Sequence, residues 1–558
     1  MNDHGVPDGN PRSVLVGRST PYLRPWDAEL VVPTHHRRGG CRGEQLDGWW
    51  LAVAEDLIKG GVVQVLVVGA GPTGSTVALL LAGLGVSCTV VERRADVHPL
   101  PRAVHLDDEA VRVLQRIGVA DAFAEISQPA SGLRLVDARL RPFAEFRRDR
   151  AVGNHGHPEA NLFDQPDLDR LLRAELVHHP MVNLRVATEV TGLDQPIHGP
   201  APVRVELSGP GGAERVWAQA VLGCDGAGSA VRAAIGSRLR DLRFTDRWFV
   251  IDVRSAQPIP TWGGVDQVCH ARRAATFVPL PGDRYRWEFR MRANETAEEL
   301  ARPARMAELM APWRVPLKQL EVLRAAEYTF RARLADRWRA GRVVLLGDAA
   351  HLTPPFIGQG LGAGLRDAHN LAWKLAAVLG GGVPGVAPGA VLESYQSERG
   401  AHAEAVIRAA VRLGRAMTGG QGVAAALRRP LTGMLLRMPG VRTRAQRGIV
   451  PRFPAGPLVD RMRHRHDLSG TPCPQPTVWA GGPATPLDEV LGDGYALLTA
   501  GSVDAGLTAR ARTLGARTVR LGHDLVDDGT LFGWLATAGA SAALVRPDRI
   551  VQATSPRT

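Results

Sequence analysis

The run Gln64-Val-Leu-Val-Val-Gly69-Ala-Gly71-Pro-Thr-Gly74, with Glu92 behind it, constrains this fold more than any other feature. A short apolar run without polar alternation suits a strand buried on both faces, as in a parallel sheet. Gly69 permits a tight turn, Gly71 leaves room for a pyrophosphate, and Gly74 lets the next helix pack closely on the sheet. The helix is expected to run through Val77–Leu84 and to stop near Gly85, a C-cap. The N–H groups at its start attract phosphate charge. Val90-Val91-Glu92 reads as a second strand ending in an acid about 20 residues past the turn, where it can accept from ribose hydroxyls. An ordinary strand-to-helix turn leaves that acid unexplained. The pattern predicts an α/β fold with a dinucleotide site and leaves NAD and FAD open.

A second apolar strand comes much later, Arg342-Val-Val-Leu-Leu-Gly347-Asp348-Ala-Ala-His351. Taken alone, Asp348 could cap a turn. Paired with the first motif, it becomes a candidate for the far end of the same nucleotide.

Composition excludes several classes. The five cysteines (Cys41, Cys88, Cys224, Cys269, Cys473) show no paired spacing, so no disulfide scaffold, zinc site or Cys-x-x-Cys redox centre is expected, and no metal. No signal peptide and no run of about 18 apolar residues is read, so a cytoplasmic protein without stable membrane insertion is expected. The net charge of +12 raises the question of nucleic acid. The excess is almost all Arg, a compositional bias, and no nucleic-acid partner is expected. It concentrates in Arg408–Arg465, where the only acid is Asp460. There the basic amphipathic stretch Ala424–Met438 reads as a solvated helix face rather than a membrane-surface helix.

Along the chain, residues 1–62 read as a disordered extension, with its place in the natural product left open. Asn161–Arg173 opens a helix with Asp164 or Asp167 as cap. Runs around Val186 and Val203–Leu207 suggest antiparallel strands. Residues 63–240 and 336–415 are expected to form a discontinuous nucleotide-binding domain with part of a sheet inserted. A β-rich block follows at 241–335, then a helical segment and linker at 416–486, and a small α/β unit at 487–558.

Four motifs in this order resemble those of the class A flavin-dependent aromatic hydroxylases, particularly the 3-(3-hydroxyphenyl)propionate hydroxylase group. They are Gly69-x-Gly71-x-x-Gly74 with Glu92; Pro101-Arg102-Ala-Val-His105-Leu-Asp-Asp-Glu; Cys224-Asp225-Gly226 with Ser229 and Arg232; and Gly347-Asp348 through Asn370-Leu-Ala-Trp-Lys374. The resemblance covers roughly residues 62–555. It implies a Rossmann-like FAD-binding domain interleaved with a β-sheet substrate domain, plus a thioredoxin-like C-terminal domain. That last unit lacks Cys-x-x-Cys and is read as structural or as an oligomer contact. By the same resemblance, Gly347 and Asp348 hold the ribityl chain of FAD. Arg102 and Gln165 contact the flavin, Arg102 having a surface ion pair as its alternative. Asp225-Gly226 lies near the pyrophosphate and the nicotinamide route. The loop through Pro355, Gly358, Gly360, Leu361 and Gly362 offers backbone N–H groups to the flavin ring. Many relatives carry Asn where this chain has Gly362, which puts local hydrogen bonding there in doubt.

The resemblance further implies hydride transfer from NAD(P)H to FAD, capture of O₂ as a flavin 4a-hydroperoxide, and hydroxylation of a small phenolic substrate. That substrate is expected to be a 3-(3-hydroxyphenyl)propionate-like acid. A tailoring hydroxylase or Baeyer–Villiger oxygenase on a polycyclic aromatic metabolite is the alternative, and a flavin-binding protein without turnover is another. His105 and Tyr285 are the candidate catalytic residues, with Trp248 and His270 nearby; His105 and His351 each have a structural alternative. There is no second dinucleotide fingerprint, so the nicotinamide visits without its own Rossmann domain. A homodimer is compatible with this reading.

Overall fold

The computed structural model describes residues 62–99, 102–195, 201–270, 273–418, 451–461 and 466–557. The expectations for the N-terminal extension up to residue 61 and for the amphipathic stretch Ala424–Met438 lie outside the described residues.

The strand Val62–Val68 becomes central in a sheet because its apolar run has no polar face to show to water. It pairs in parallel with Gly212–Gly223 on one side and Cys88–Val91 on the other. Val182–Arg185 and Val343–Leu345 extend the parallel order outward. The antiparallel strands Glu189–Asp194 and Val203–Gly209 attach through Gly212–Gly223. Helix Pro72–Gly83 starts with Pro in its first turn and is buried from Ser75 to Ala82. Gly85, at φ +80°, follows its end, so the expected glycine stop sits just past the last turn.

A second eight-stranded sheet stands against this layer. Its central strands are Leu239–Ser255, Arg284–Arg290 and Leu320–Ala335, all antiparallel. It also takes in Gly132–Val136 and Pro142–Arg147 from the earlier part of the chain, through a parallel pairing of Val265 with Leu133. Strand side chains alternate between faces, and directly opposed residues share one. Phe249, Ile251, Val253, Phe277, Tyr285, Trp287 and Phe289 fill the back, packed on Met306, Leu309 and Met310. The other face turns to the nucleotide-binding layer.

The C-terminal unit has four strands in the order Arg517–Arg520, Ala496–Thr499, Ala540–Val545, Val551–Pro556; the first pair is parallel and the rest antiparallel. Buried ion pairs hold it to the main body. Arg546 joins Asp548 to Glu398, which also receives Lys374. Arg112 pairs with Asp488 at 2.7 Å. Burial pushes the Lys374 amine down to about 8, against the pull of Glu398.

Candidate active site

The two distant motifs meet through Thr73. A Cβ on Gly347 would lie 2.8 Å from Thr73 Oγ1, and one on Gly364 only 2.3 Å from it. Gly347 sits at φ +59°, which also favours glycine. Gly74 is closer still, since its Cβ would fall 1.9 Å from the carbonyl oxygen of Gly69. Gly71 differs: nothing lies within 4 Å of the position its Cβ would take, and no side chain caps the helix that starts there. The packing glycines bring strands and helices together; Gly71 keeps an opening in front of a helix N-terminus.

Carboxylates line that opening. Glu92 Oε2 accepts from the Ala70 N–H at 2.9 Å, which fixes the acid against the turn. Gln165 Oε1 accepts from the Ala103 N–H at 2.8 Å, tying the Arg102 loop to helix Gln165–His178. Asp169, one helical turn on, has a buried Oδ1 without a hydrogen-bond partner. Burial raises its carboxyl to about 7. The Asp348 carboxylate is exposed to the opening yet crowded by protein, and this desolvation raises its pKa against His351 and Arg102. Carboxylate acceptors beside an open helix N-terminus suit a molecule that offers ribose and ribityl hydroxyls and a pyrophosphate together.

Asp225 has internal partners. Its Oδ1 accepts from Ser229 Oγ at 2.5 Å and its Oδ2 from the Val231 N–H. Arg232 Nη1 donates to the Ala349 carbonyl at 2.9 Å, so this segment buttresses the Gly347-Asp348 turn. Asp164 stands at the N-cap of its helix without capping it; its carboxylate pairs with Arg284 instead. Arg102 is exposed, and its carbonyl accepts from Arg286 Nη1 of the second sheet.

The loop Pro354–Gly362 carries the third wall. Gly358 is left-handed at φ +62°, and a Cβ there would press on His105 Nδ1. That nitrogen lies 3.3 Å from the Gly358 carbonyl. Burial lowers the His105 pKa and favours the neutral ring. Gly362 stands where a Cβ would lie 2.9 Å from Arg366 Nη1. Arg366 reaches Asp107 and Glu109 at 2.7 Å each. Burial alone would raise the Asp107 carboxyl, but Arg366 and the hydrogen bonds from Gln359 and Ala110 hold it well below the usual range. In this chain, then, an arginine network occupies the ground beside Gly362.

Opposite these loops stands the front of the second sheet. Arg286 and Arg324 both pair with Asp252, all three buried. Trp248 meets Phe356 of the loop, ring centroids 5.9 Å apart. Glu288 lies between those contacts, paired across the strands with Val250 and Thr276.

The structure therefore brings Gly69, Gly71, Gly74, Glu92, Arg102, Gln165, Asp225, Gly347 and Asp348 around one opening. Pro355, Gly358, Gly360, Leu361, Gly362 and His105 stand at its far end. It does not bring Tyr285 there. That side chain points to the packed back of the sheet, stacked on Phe277, with its hydroxyl accepting from the Ile259 N–H at 3.0 Å. His351 is buried, its Nε2 2.7 Å from Asp367 Oδ2, so it holds the Gly347 turn from behind. Sequence reasoning gave no role to Thr73, Asp107, Gly364, Arg366 or Glu288. Alternation in Tyr285-Arg-Trp-Glu-Phe-Arg290 separates Tyr285 from Glu288, but no sequence signal says which face meets the cleft.

Over residues 62–410 the chain matches the FAD binding domain family, and over residues 470–558 the HcaD C-terminal domain family. It is 35% identical over 524 residues to 3-(3-hydroxy-phenyl)propionate/3-hydroxycinnamic acid hydroxylase 2 of Burkholderia vietnamiensis (strain G4 / LMG 22486), covering 88% of this chain and 93% of that one. It is 32% identical over 502 residues to a probable NADH-specific resorcinol 4-hydroxylase of Rhodococcus jostii (strain RHA1), covering 88% and 91%. Among solved structures it is similar to aklavinone-11 hydroxylase in complex with FAD and aklavinone, with a TM-score of 0.72, 27% identity and coverage of 88% and 95%. The anhydrotetracycline hydroxylase of Streptomyces rimosus gives 0.70 at 26% identity, with the same coverage. With those matches, the open glycine turn and the carboxylates around it, the chain belongs to the FAD-dependent aromatic hydroxylases, enzymes that use FAD as cofactor with NAD(P)H and O₂ as co-substrates.

Proposed function

We propose that the substrate is a monocyclic phenol with a second substituent meta to the hydroxyl, of the 3-(3-hydroxyphenyl)propanoate class. The observation that carries this is the 35% identity over 88% of the chain to a hydroxylase of that substrate. The resorcinol relative fits the same ring pattern, because resorcinol also carries its second group meta to a hydroxyl.

Glu92, Arg102, Gln165 and Asp348 hold FAD, with Gly71 leaving the pyrophosphate its approach. Bound FAD, reduced by NAD(P)H, supplies an electrophilic oxygen derived from O₂. The protein's own work is orientation and exclusion of water. Trp248 and Phe356 close one end of the cleft. Arg286 ties the sheet to the Arg102 loop at the other end. His105, kept neutral, faces this space without adding charge.

A second reading, a polycyclic aromatic substrate, is favoured by the TM-scores of 0.72 and 0.70 to hydroxylases of aklavinone and anhydrotetracycline. Oxidation of NADH and NADPH, stimulated by a panel of phenols and followed by product mass, tests both readings. Gain of one oxygen on 3-(3-hydroxyphenyl)propanoate supports the first. Stimulation confined to polycyclic phenols overturns it.

The same reading divides the chain into the domains expected from the sequence, in a cytoplasmic protein. It takes the C-terminal unit as thioredoxin-like without redox chemistry. Its parallel β-α-β pair followed by an antiparallel hairpin supports this, and residues 487–558 contain no cysteine. It also includes a homodimer, with Val526 of that unit and Trp479 of the segment before it, 55% and 48% exposed and joined by backbone hydrogen bonds, as apolar surface. Sedimentation of a monomer would remove that part.

A further inference from the structure

The front of the second sheet carries one carboxylate that is only loosely paired. Asp252 pairs with Arg286 and Arg324, and Asp246 with Arg290 and the Trp248 indole. The Glu288 carboxylate accepts no hydrogen bond among the described residues; it stands by Arg286, with Nη1 3.8 Å from Oε1. Its side chain is 13% exposed, so it is neither sealed in a core nor free in water.

Its position follows from the register. Ala326, Val250, Glu288, Thr276, Gln267 and Leu135 stand opposite one another on successive strands and form one row. On one side, the neighbouring row is anchored to the Arg102–Val104 loop by Arg286 and Val278. On the other side, Trp248 reaches Phe356. Leu135 belongs to the buried cluster, with Cys269 and Met417, against which Phe356 packs. The Glu288 row therefore spans the gap between the two loops that carry the flavin-side wall, and Glu288 is its only ionisable member.

We propose that Glu288 is the base that accepts the proton of the substrate's phenolic hydroxyl. This rests on the phenol reading of the substrate. The phenol O–H bond breaks, its electron pair stays on the phenol oxygen, and the proton moves to a Glu288 carboxylate oxygen. Arg286 remains beside the pair as counter-charge to the phenolate. The phenolate pushes electron density onto the ring carbons ortho and para to it, where an electrophilic oxygen is accepted. The charged groups acting on Glu288 are Arg286, Asp252 and Arg324, and burial raises its pKa above that of an ordinary glutamate. A carboxylate with a raised pKa is the better proton acceptor.

The test uses the FAD-loaded full chain and its Glu288→Gln variant, with 3-nitrophenol as a chromophoric probe titrated without NAD(P)H. At a pH below the probe's own pKa, the wild type is expected to show the phenolate absorbance of bound probe, and E288Q only that of the neutral phenol. The variant keeps its FAD and its melting temperature. Its kcat on the substrate found in the phenol panel falls about 100-fold, with KM little changed, and phenols of lower pKa recover much of the loss. Two results overturn the assignment: no ionised probe on the wild type, or an unchanged phenolate band and kcat in E288Q. If the probe ionises through Glu288 while 3-(3-hydroxyphenyl)propanoate is not oxidised, the base stands and the substrate class falls.

Discussion

The nucleotide corner and the front of the second sheet face each other, and they are built on opposite principles. The corner is made by what is missing: Gly69, Gly74, Gly347 and Gly364 lack side chains where backbone or Thr73 occupies the space. The sheet front is made by what is present, a set of buried charges in which Asp252 pairs with both Arg286 and Arg324 while Glu288 stands 3.8 Å from Arg286. In the first, an added atom is the damage; in the second, a removed one is. The close-packed glycines of the corner leave little room for change. The sheet front can exchange side chains as long as charges balance, which would suit a wall that meets the proposed substrate.

The strongest break comes on the sheet. Asp252→Ala leaves Arg286 and Arg324 buried without their common partner, and breaking a buried pair this way costs about 3–5 kcal/mol. Thermal unfolding should show a larger drop for this variant than for any single change in the corner, with flavin lost only because the fold is. If the melting temperature barely moves, the charges are solvated and the contrast with the corner fails.

Gly74→Ala tests the other principle with one carbon. The new Cβ would fall 1.9 Å from the Gly69 carbonyl oxygen, a backbone atom that cannot swing aside. Overpacking costs about 1–3 kcal/mol, and a backbone clash belongs at the upper end. The flavin-to-protein ratio of whatever folds should be far below that of wild type. Ordinary flavin content would show that helix Pro72–Gly83 can shift outward.

The corner was legible in the sequence for that same reason. A glycine required by a close approach leaves a fixed spacing, and Glu92 and Asp348 each end an apolar strand. What the sequence hid was contact between distant stretches. Thr73 looks like any helix-start threonine until Gly347 and Gly364 close on it, and Arg366, on a helix, is silent until Asp107 arrives from a distant strand. The second sheet was legible as alternation, but alternation is symmetric: it sorts Tyr285 from Glu288 without saying which of them meets the cleft.

Arg366 gives a smaller effect with a defined sign. Asp107 is held below an ordinary aspartate mainly against burial, by Arg366 and hydrogen bonds. A depressed carboxyl contributes stability that is complete above the unfolded pKa of about 3.9 and fades as pH falls through the folded value, at up to about 1.4 kcal/mol per pH unit. Melting curves between pH 6 and pH 3 should therefore fall more steeply for wild type than for Arg366→Gln. Parallel acid limbs would mean that Asp107 gains nothing from its arginine.

Asp348→Ala should separate binding from folding in the corner. Its carboxylate faces the opening, so its loss exposes no buried partner. The variant should melt without FAD as the wild-type apoprotein does, yet bind FAD at least tenfold more weakly, about 1.4 kcal/mol. Fluorescence titration of the apoprotein reads this directly, and unchanged affinity would move the hydroxyl acceptor elsewhere in the opening.

Tyr285→Phe is the mildest test and bears on which side of the sheet does chemistry. The Tyr285 hydroxyl accepts one hydrogen bond, from the Ile259 N–H at 3.0 Å, inside the packed back face. Removing it leaves that N–H unpaired, a loss of about 1 kcal/mol in unfolding free energy. The aromatic stack on Phe277 survives, because the ring is kept. Turnover should stay within about twofold of wild type, since nothing on the front moves. A large fall in kcat with stability intact would mean that the back face communicates with the cleft. The division between a packed side and a reacting side, on which Glu288 rather than Tyr285 is assigned the proton, would then have to be given up.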